Sequence, residues 1–182
     1  MIYMFLANGF EEVEALCPLD LLRRAGLSVR TVAVGHCTEN MITGGHGITV
    51  QTNIHEKDFC DQTPEMIILP GGLEGVNNLD ASPLLDSVIY NTIACGGYVA
   101  AICAAPTLLG KRGYLRDREA ICYPGMEDEM KCARVSSHKV VRDGSFITAA
   151  GVGAAFDFAL KLIEIMVGEE AVQKLRHQIL LD

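Results

Sequence analysis

Missing from this chain are a cluster of basic residues, a long apolar run, paired cysteines and any low-complexity tract, and each absence removes a class of function. Lys and Arg number 15 against 23 Asp and Glu, a formal net charge of -8, and the basic residues are scattered. No surface therefore offers a footprint for a phosphate backbone, and nucleic acid is not expected as a direct partner. The longest mostly apolar stretch, Tyr98 to Gly110, contains Pro106 and falls short of the ~20 residues that span a membrane. The N-terminal Met1-Ile2-Tyr3-Met4-Phe5-Leu6 has no basic leader and reads as a core strand, so no secretory signal is expected.

The seven cysteines, Cys17, Cys37, Cys60, Cys95, Cys103, Cys122 and Cys132, are odd in number and include no C-x-x-C pair. They read as reduced thiols of a cytoplasmic protein. The histidines, His36, His46, His55, His138 and His177, are dispersed, with none at zinc-finger spacing, so no preformed metal site is expected. Nucleotide motifs are absent too. Gly71-Gly72-Leu73-Glu74-Gly75 is neither G-x-G-x-x-G nor a Walker loop, and Gly151-Val152-Gly153 lacks a third glycine and an acidic ribose partner, so no cofactor is expected.

What is there is a hydrophobic content of 49% over 182 residues, enough for one domain, 1–182, with a full core. Strand and helix patterns alternate along it. Ile2 to Ala7 reads as a buried strand, followed by a helix with Glu11, Glu12 and Glu14 in its first turn and Arg23, Arg24 and Gly26 at its end. Pro18 predicts a kink or a break in that helix. Ser28 to Val34 is a second strand, and Gly44-Gly45-His46-Gly47 a glycine-rich bend or short hairpin. Met66 to Leu69 is a short buried strand ending in Pro70-Gly71-Gly72. Ser82-Pro83 opens a helix with Ser as N-cap, stopped by Gly96-Gly97. Strands are predicted over Tyr98 to Ile102, Glu119 to Cys122, Val135 to Val141 and Phe146 to Ala149, the last two joined through Asp143-Gly144. Helices from Ala154 to Val167 and from Glu169 to Leu180 complete the chain. This alternation indicates an α/β fold whose mainly parallel sheet is covered on both faces.

Cys103 lies in Tyr98-Val99-Ala100-Ala101-Ile102-Cys103-Ala104-Ala105-Pro106, where a short apolar strand runs into a helix. A nucleophile elbow is so tight that residues near the reactive one must be small, and Ala101, Ala104 and Ala105 meet that requirement. The following helix would point free N–H groups and its positive end at the sulfur, favouring thiolate. Equally open on these residues is a buried cysteine acting as a small hydrophobe. Asn8-Gly9, Pro70-Gly71-Gly72, Cys103 and Gly151-Val152-Gly153 all follow strands, and ligands of open parallel sheets bind at the carboxyl ends of strands. The peptide at Gly71-Gly72 could place an N–H beside the thiol, complementing that of Ala104 in an oxyanion hole. A plain tight turn is the alternative there.

Taken together, Leu6-Ala7-Asn8-Gly9-Phe10-Glu11-Glu12-Val13-Glu14, Leu69-Pro70-Gly71-Gly72, the Cys103 segment and Gly151-Val152-Gly153-Ala154-Ala155-Phe156-Asp157-Phe158-Ala159 resemble the ThiJ/PfpI superfamily. The similarity is strongest to its branch of parkinsonism-associated protein deglycases (DJ-one) and their bacterial homologues, and it covers nearly the whole length. The resemblance implies a flavodoxin-like three-layer sandwich, a homodimer, Cys103 as nucleophile and Glu14 as the acidic residue hydrogen-bonded to it. It also implies that the backbone N–H groups of Gly72 and Ala104 line the oxyanion pocket. Burial would raise the Glu14 pKa, so that it could carry a proton. A solvated glutamate like Glu11 and Glu12 is the alternative.

The chain departs from the family pattern twice. Tyr123 in Ile121-Cys122-Tyr123-Pro124-Gly125 stands where the deglycase branch has histidine, and a phenol is a poor base at neutral pH although it can donate a hydrogen bond. His46 stands where the family has arginine in the bend after the second strand, which bears on anion binding or a dimer contact, or leaves only a surface bend residue. The resemblance therefore implies a glyoxalase or deglycase acting on methylglyoxal or its protein adducts, with slow turnover. A non-catalytic redox sensor, in which peroxide oxidises Cys103 to sulfenate and sulfinate, is the other expectation. A peptidase or amidase is a third, lacking a histidine partner for Cys103.

Overall fold

The computed structural model describes residues 1–61, 63–131 and 133–181. Cys132, one of the seven thiols expected to be reduced, lies outside the described residues; the other six form no disulfide.

The chain begins with β1 (Ile2–Ala7) and α1 (Glu12–Arg24), then β2 (Val29–Val34), the short β3 (Met41–Thr43) and β4 (Thr49–Gln51), and β5 (Ile54–His55). Next come β6 (Met66–Leu69), α2 (Leu73–Asp80), α3 (Leu85–Ala94), β7 (Tyr98–Ile102) and α4 (Pro106–Lys111). The last third holds β8 (Glu119–Ala120), β9 (Arg134–Val135), β10 (Val140–Asp143), β11 (Phe146–Ala149), α5 (Ala155–Val167) and α6 (Glu169–Gln178).

Seven strands form the central sheet in the order β10-β11-β7-β6-β1-β2-β5, parallel throughout except for the edge hairpin β10-β11. This is the α/β architecture expected from the sequence. Because side chains alternate across a strand, β1 feeds two cores at once. Ile2, Met4 and Leu6 pack with Phe158, Leu162 and Ile163 of α5 and with Leu21 and Leu22 of α1. Tyr3, Phe5 and Ala7 pack on the opposite face with Val76 and Leu79 of α2 and Val88 and Ile89 of α3. Each fully buried side chain of this size removes about 1.5–3 kcal/mol of apolar exposure. From β1 the chain steps outward through β2 to β5, then returns to the other flank of β1 with β6. That reversal in strand order opens a crevice at the carboxyl ends of β1 and β6.

Several local expectations are corrected. The helix predicted to kink or break at Pro18 runs unbroken as α1, with Pro18 buried inside it. Proline there withholds only the hydrogen bond owed to the Glu14 carbonyl. The strand expected over Val135 to Val141 is two strands, β9 and β10, and the one over Glu119 to Cys122 stops at Ala120. Ser82 does not cap the helix directly: its Oγ accepts from the Leu84 N–H at 3.2 Å and donates to Glu56 Oε2 at 2.5 Å, and α3 begins at Leu85. Helix α2 was not foreseen. The glycine-rich bend is the hairpin β3-β4.

Candidate active site

Cys103 adopts φ 64, a left-handed conformation in a residue other than glycine. Such backbone costs roughly 1–3 kcal/mol and persists only where its surroundings impose it. Here the Cys103 N–H donates to the Ala149 carbonyl at 2.9 Å, and the Cys103 carbonyl accepts from the Tyr123 N–H at 2.8 Å. The elbow is thus pinned between the ends of two neighbouring segments, which leaves the thiol partly exposed.

Glu14 reaches the thiol from α1. Glu11 caps that helix, its Oε2 accepting from the Glu14 N–H at 2.7 Å. The register places Glu14 on the buried stripe with Ala15, Pro18, Leu21 and Leu22. Its side chain is fully buried, with Oε2 accepting from the Gly71 N–H at 3.0 Å and Oε1 left without a hydrogen-bond partner. A methyl group on Gly151 would lie 3.8 Å from that Oε1, 4.0 Å from Cys103 Sγ and 3.5 Å from the Tyr123 ring. The free oxygen, the sulfur and the aromatic ring therefore face the same space.

Two backbone donors complete the arrangement. The N–H groups of Ala104 and Gly72 both act on the Cys103 sulfur and favour its ionised form. Gly72 takes φ 85, a conformation glycine adopts freely. Gly71 and Gly72 thus divide the work: the first peptide holds the carboxyl group and the second faces the thiol. The residues expected at an oxyanion pocket do converge.

The protonation pattern differs from the expectation of a preformed thiolate. Burial raises the Glu14 carboxyl to about 7, aided by the Glu11 charge and opposed by the hydrogen bonds from Cys103 and Gly71. Burial also pushes the Cys103 thiol up to about 12, and the Glu14 charge and hydrogen bond push it further in the same direction, against the Ala104 and Gly72 N–H groups. Removal from water disfavours the thiolate first, and an ionised carboxylate beside the sulfur then opposes a second negative charge. The helix after the elbow, α4, is only six residues long and begins at Pro106, so two individual amides act on the sulfur in place of a long dipole. The carboxyl group is thereby the stronger acid of the pair and the thiol rests protonated.

Around this pair opens a cleft of about 910 Å³ whose walls include Leu73, Tyr123, Pro124, Met126 and Val152. Tyr123 occupies the wall as expected, exposed over 53% of its surface. No histidine among the described residues lines the cleft.

His46 is not in the cleft. Its ring Nδ1 contacts Glu12 Oε2 at 2.7 Å and its N–H donates to Glu12 Oε1 at 2.6 Å. Glu12, expected to be solvated, is buried by this bend. Burial disfavours its charge, but the hydrogen bonds from His46 and Ile48 prevail and hold it below the ordinary carboxylate value; the bond to Glu12 raises His46. Oxygen and nitrogen atoms of Glu11, Glu12 and His46 lie within 4.8 Å of one another, a juxtaposition the dispersed histidines did not suggest. Both Glu12 oxygens are already engaged by the bend. Glu12 contributes stability above its unfolded pKa that is lost as pH falls through its lowered folded value. His46 contributes below its unfolded pKa and loses that contribution as pH rises through its raised value. Glu12→Ala is expected to cost about 1–3 kcal/mol in urea unfolding at a pH between those limits, because several N–H donors lose a charged acceptor. The difference from wild type is expected to shrink in acid.

No helix among the described residues is long and apolar enough to cross a membrane. The chain as a whole has counterparts among known proteins. The chain is 35% identical to protein dj-1beta of Drosophila melanogaster over 173 residues, 94% of this chain and 91% of that one. It is 32% identical to a glutathione-independent glyoxalase of Caenorhabditis elegans over 167 residues, 91% of this chain and 87% of the relative. A C103A mutant of a DJ-1 superfamily protein from Salmonella typhimurium superposes with a TM-score of 0.93 at 29% identity, covering 100% of this chain and 98% of that structure. The family model for DJ-1/PfpI spans residues 1–165, so on sequence as well as on architecture the chain belongs to the DJ-1/PfpI family.

Proposed function

We propose that the protein is a cysteine-dependent glyoxalase or deglycase that protects against reactive carbonyls, acting on methylglyoxal or its protein adducts without a cofactor. The observation that carries this reading is the pairing of a partly exposed elbow thiol with a buried carboxyl group raised to about 7. A base with that value is matched to neutral pH. In the proposed sequence Glu14 takes the thiol proton as Cys103 sulfur bonds to the aldehyde carbon, and the Gly72 and Ala104 N–H groups receive the developing oxyanion. The hydrogen on that carbon then moves as a proton to the adjacent carbonyl carbon through an enediol, leaving a thioester. Water cleaves the thioester, releasing a 2-hydroxy acid and restoring the thiol. The net reaction adds one water and needs no external oxidant or reductant. The name of the Caenorhabditis elegans relative supports the same chemistry.

Tyr123 supplies a hydrogen-bond donor where the deglycase branch has histidine, which fits slow turnover. We place the protein in the cytoplasm, from an odd number of cysteines with no C-x-x-C pair, and propose a homodimer. The exposed apolar side chains Val13, Met41 and Ile48 on α1 and the β3-β4 hairpin support an interface there. A second reading, redox sensing, is favoured by one feature: the unpartnered Glu14 Oε1 and the two N–H donors suit the oxygens of a sulfinate.

One experiment separates the readings. Purified protein is incubated with methylglyoxal and 2-hydroxy acid formation is followed, with mass spectrometry of all thiols after mild peroxide in parallel. The glyoxalase reading expects lactate to accumulate over many turnovers. Absence of lactate together with oxidation confined to Cys103 would replace it with the sensor reading.

A further inference from the structure

Four charged side chains among the described residues face the cleft, Glu11, Glu14, Glu129 and Lys139. Three of them are already committed. Glu11 caps α1, Glu14 accepts from Gly71, and Glu129 Oε2 pairs with Lys111 Nζ at 2.9 Å. Among the described residues the Lys139 ammonium has no ion pair or hydrogen bond, although its backbone is fixed: its carbonyl accepts from the Ala150 N–H at 3.0 Å. That bond joins the start of β10 to the residue preceding Gly151, the wall beside the thiol. An uncompensated cation is thus carried to the carboxyl end of β11, into a cleft whose remaining charges are negative. The cleft is also far larger than a three-carbon dicarbonyl: about 910 Å³ falls in the range that encloses much larger ligands. Leu73, Met126 and Val152 make its walls apolar, and the first and last are unusually exposed for such side chains, at 64% and 46%.

We infer that Lys139 is a specificity-determining residue, selecting reactive carbonyl compounds that carry an acid group on an apolar spacer. This rests on the carbonyl chemistry proposed above for Cys103 and deepens it. The carbonyl end meets Cys103 and the Gly72 and Ala104 N–H groups, the spacer lies on the apolar walls, and the acid group meets the Lys139 ammonium. The charge pair forms in an open site, so it gives a preference, not an absolute requirement.

The test compares kcat/KM for 4-carboxyphenylglyoxal with that for phenylglyoxal. The wild-type ratio is expected to be about one and a half to five, the range of an exposed charge pair. Lys139→Met should bring the ratio to about one, and Lys139→Glu below one. Lys57→Met, which removes an exposed lysine outside the cleft, should keep the wild-type ratio. Equal ratios in all four proteins overturn the inference. If neither compound is turned over, the carbonyl chemistry falls, and the assignment of Lys139 is read separately by NMR titration of Cys103→Ser protein with mandelate and 4-carboxymandelate. Tighter binding of the dianion, abolished by Lys139→Met, sustains the anion site; equal binding overturns it.

Discussion

Glu14→Gln is expected to slow methylglyoxal turnover by about a hundred- to ten-thousandfold, the contribution of a positioned general base. The substitution preserves shape and burial but removes the group that accepts the thiol proton. Because the base must be ionised, the wild-type rate should rise with pH through about 7, the raised value of Glu14, and the variant should lack that limb. Stability should move the other way. The folded value of about 7 lies above the ordinary 4.5, so between the two the folded chain keeps a proton that the unfolded chain has released. Stability is then greatest below the unfolded value and declines as pH rises to the folded one, with a cost of about 3 kcal/mol once Glu14 is ionised. Urea unfolding at pH 5.5 and 8 captures about 2 kcal/mol of this difference, and Glu14→Gln should remove that part, leaving the separate loss from His46 as pH rises. A variant with the wild-type pH profile for rate would remove Glu14 from the mechanism.

Gly71→Ala should be comparably damaging, for a steric reason. A β-carbon there would overlap Glu14 Oε2 and lie 2.6 Å from Cys103 Cβ and 3.1 Å from its sulfur. Neither neighbour is a flexible chain end: one is clamped by the Gly71 N–H and the other sits on a strained elbow. Relief requires separating the acid from the thiol, and misplacement on that scale costs about a hundredfold in rate. Overpacking should cost about 1–3 kcal/mol of stability. Circular dichroism will show a folded protein, so the loss of turnover is assigned to the site. Turnover within threefold of wild type would show that the Glu14 to Cys103 spacing is not critical.

Where burial is continuous, the sequence was easy to read. β1, β6, β7 and β11 have the bounds expected from their apolar runs, because a strand covered on both faces reads as a continuous apolar stretch, bounded here by turn residues such as Asn8, Pro70, Gly97 and Gly144. α2 was hidden, since Leu73–Asp80 follows two glycines and contains Gly75, Asn77 and Asn78, all poor helix formers. Tertiary packing makes it a helix: Val76 and Leu79 enter the core, and Gly75 lies so close to Phe10 that a side chain would not fit. Helical periodicity favours burial of Glu14, which shares a stripe with Pro18 and Leu22, but carries no hint that a distant bend closes over Glu12. The direction of the Cys103 shift was equally out of reach, because it depends first on burial by the folded chain and then on a carboxylate brought from nearly ninety residues away. Lys139 was overlooked because its place in the cleft comes from strand pairing with the segment before Gly151, not from any local pattern.

The elbow straddles the sheet. Cys103 packs with the layer of α1 and α5, while the adjacent Ala104 is buried in the layer of α2 and α3. Nucleophile and oxyanion donor are therefore moored to opposite slabs of the molecule, and their alignment depends on those slabs keeping step. Loosening either one, even by a remote substitution, would misregister the reacting atoms well before the chain as a whole came apart.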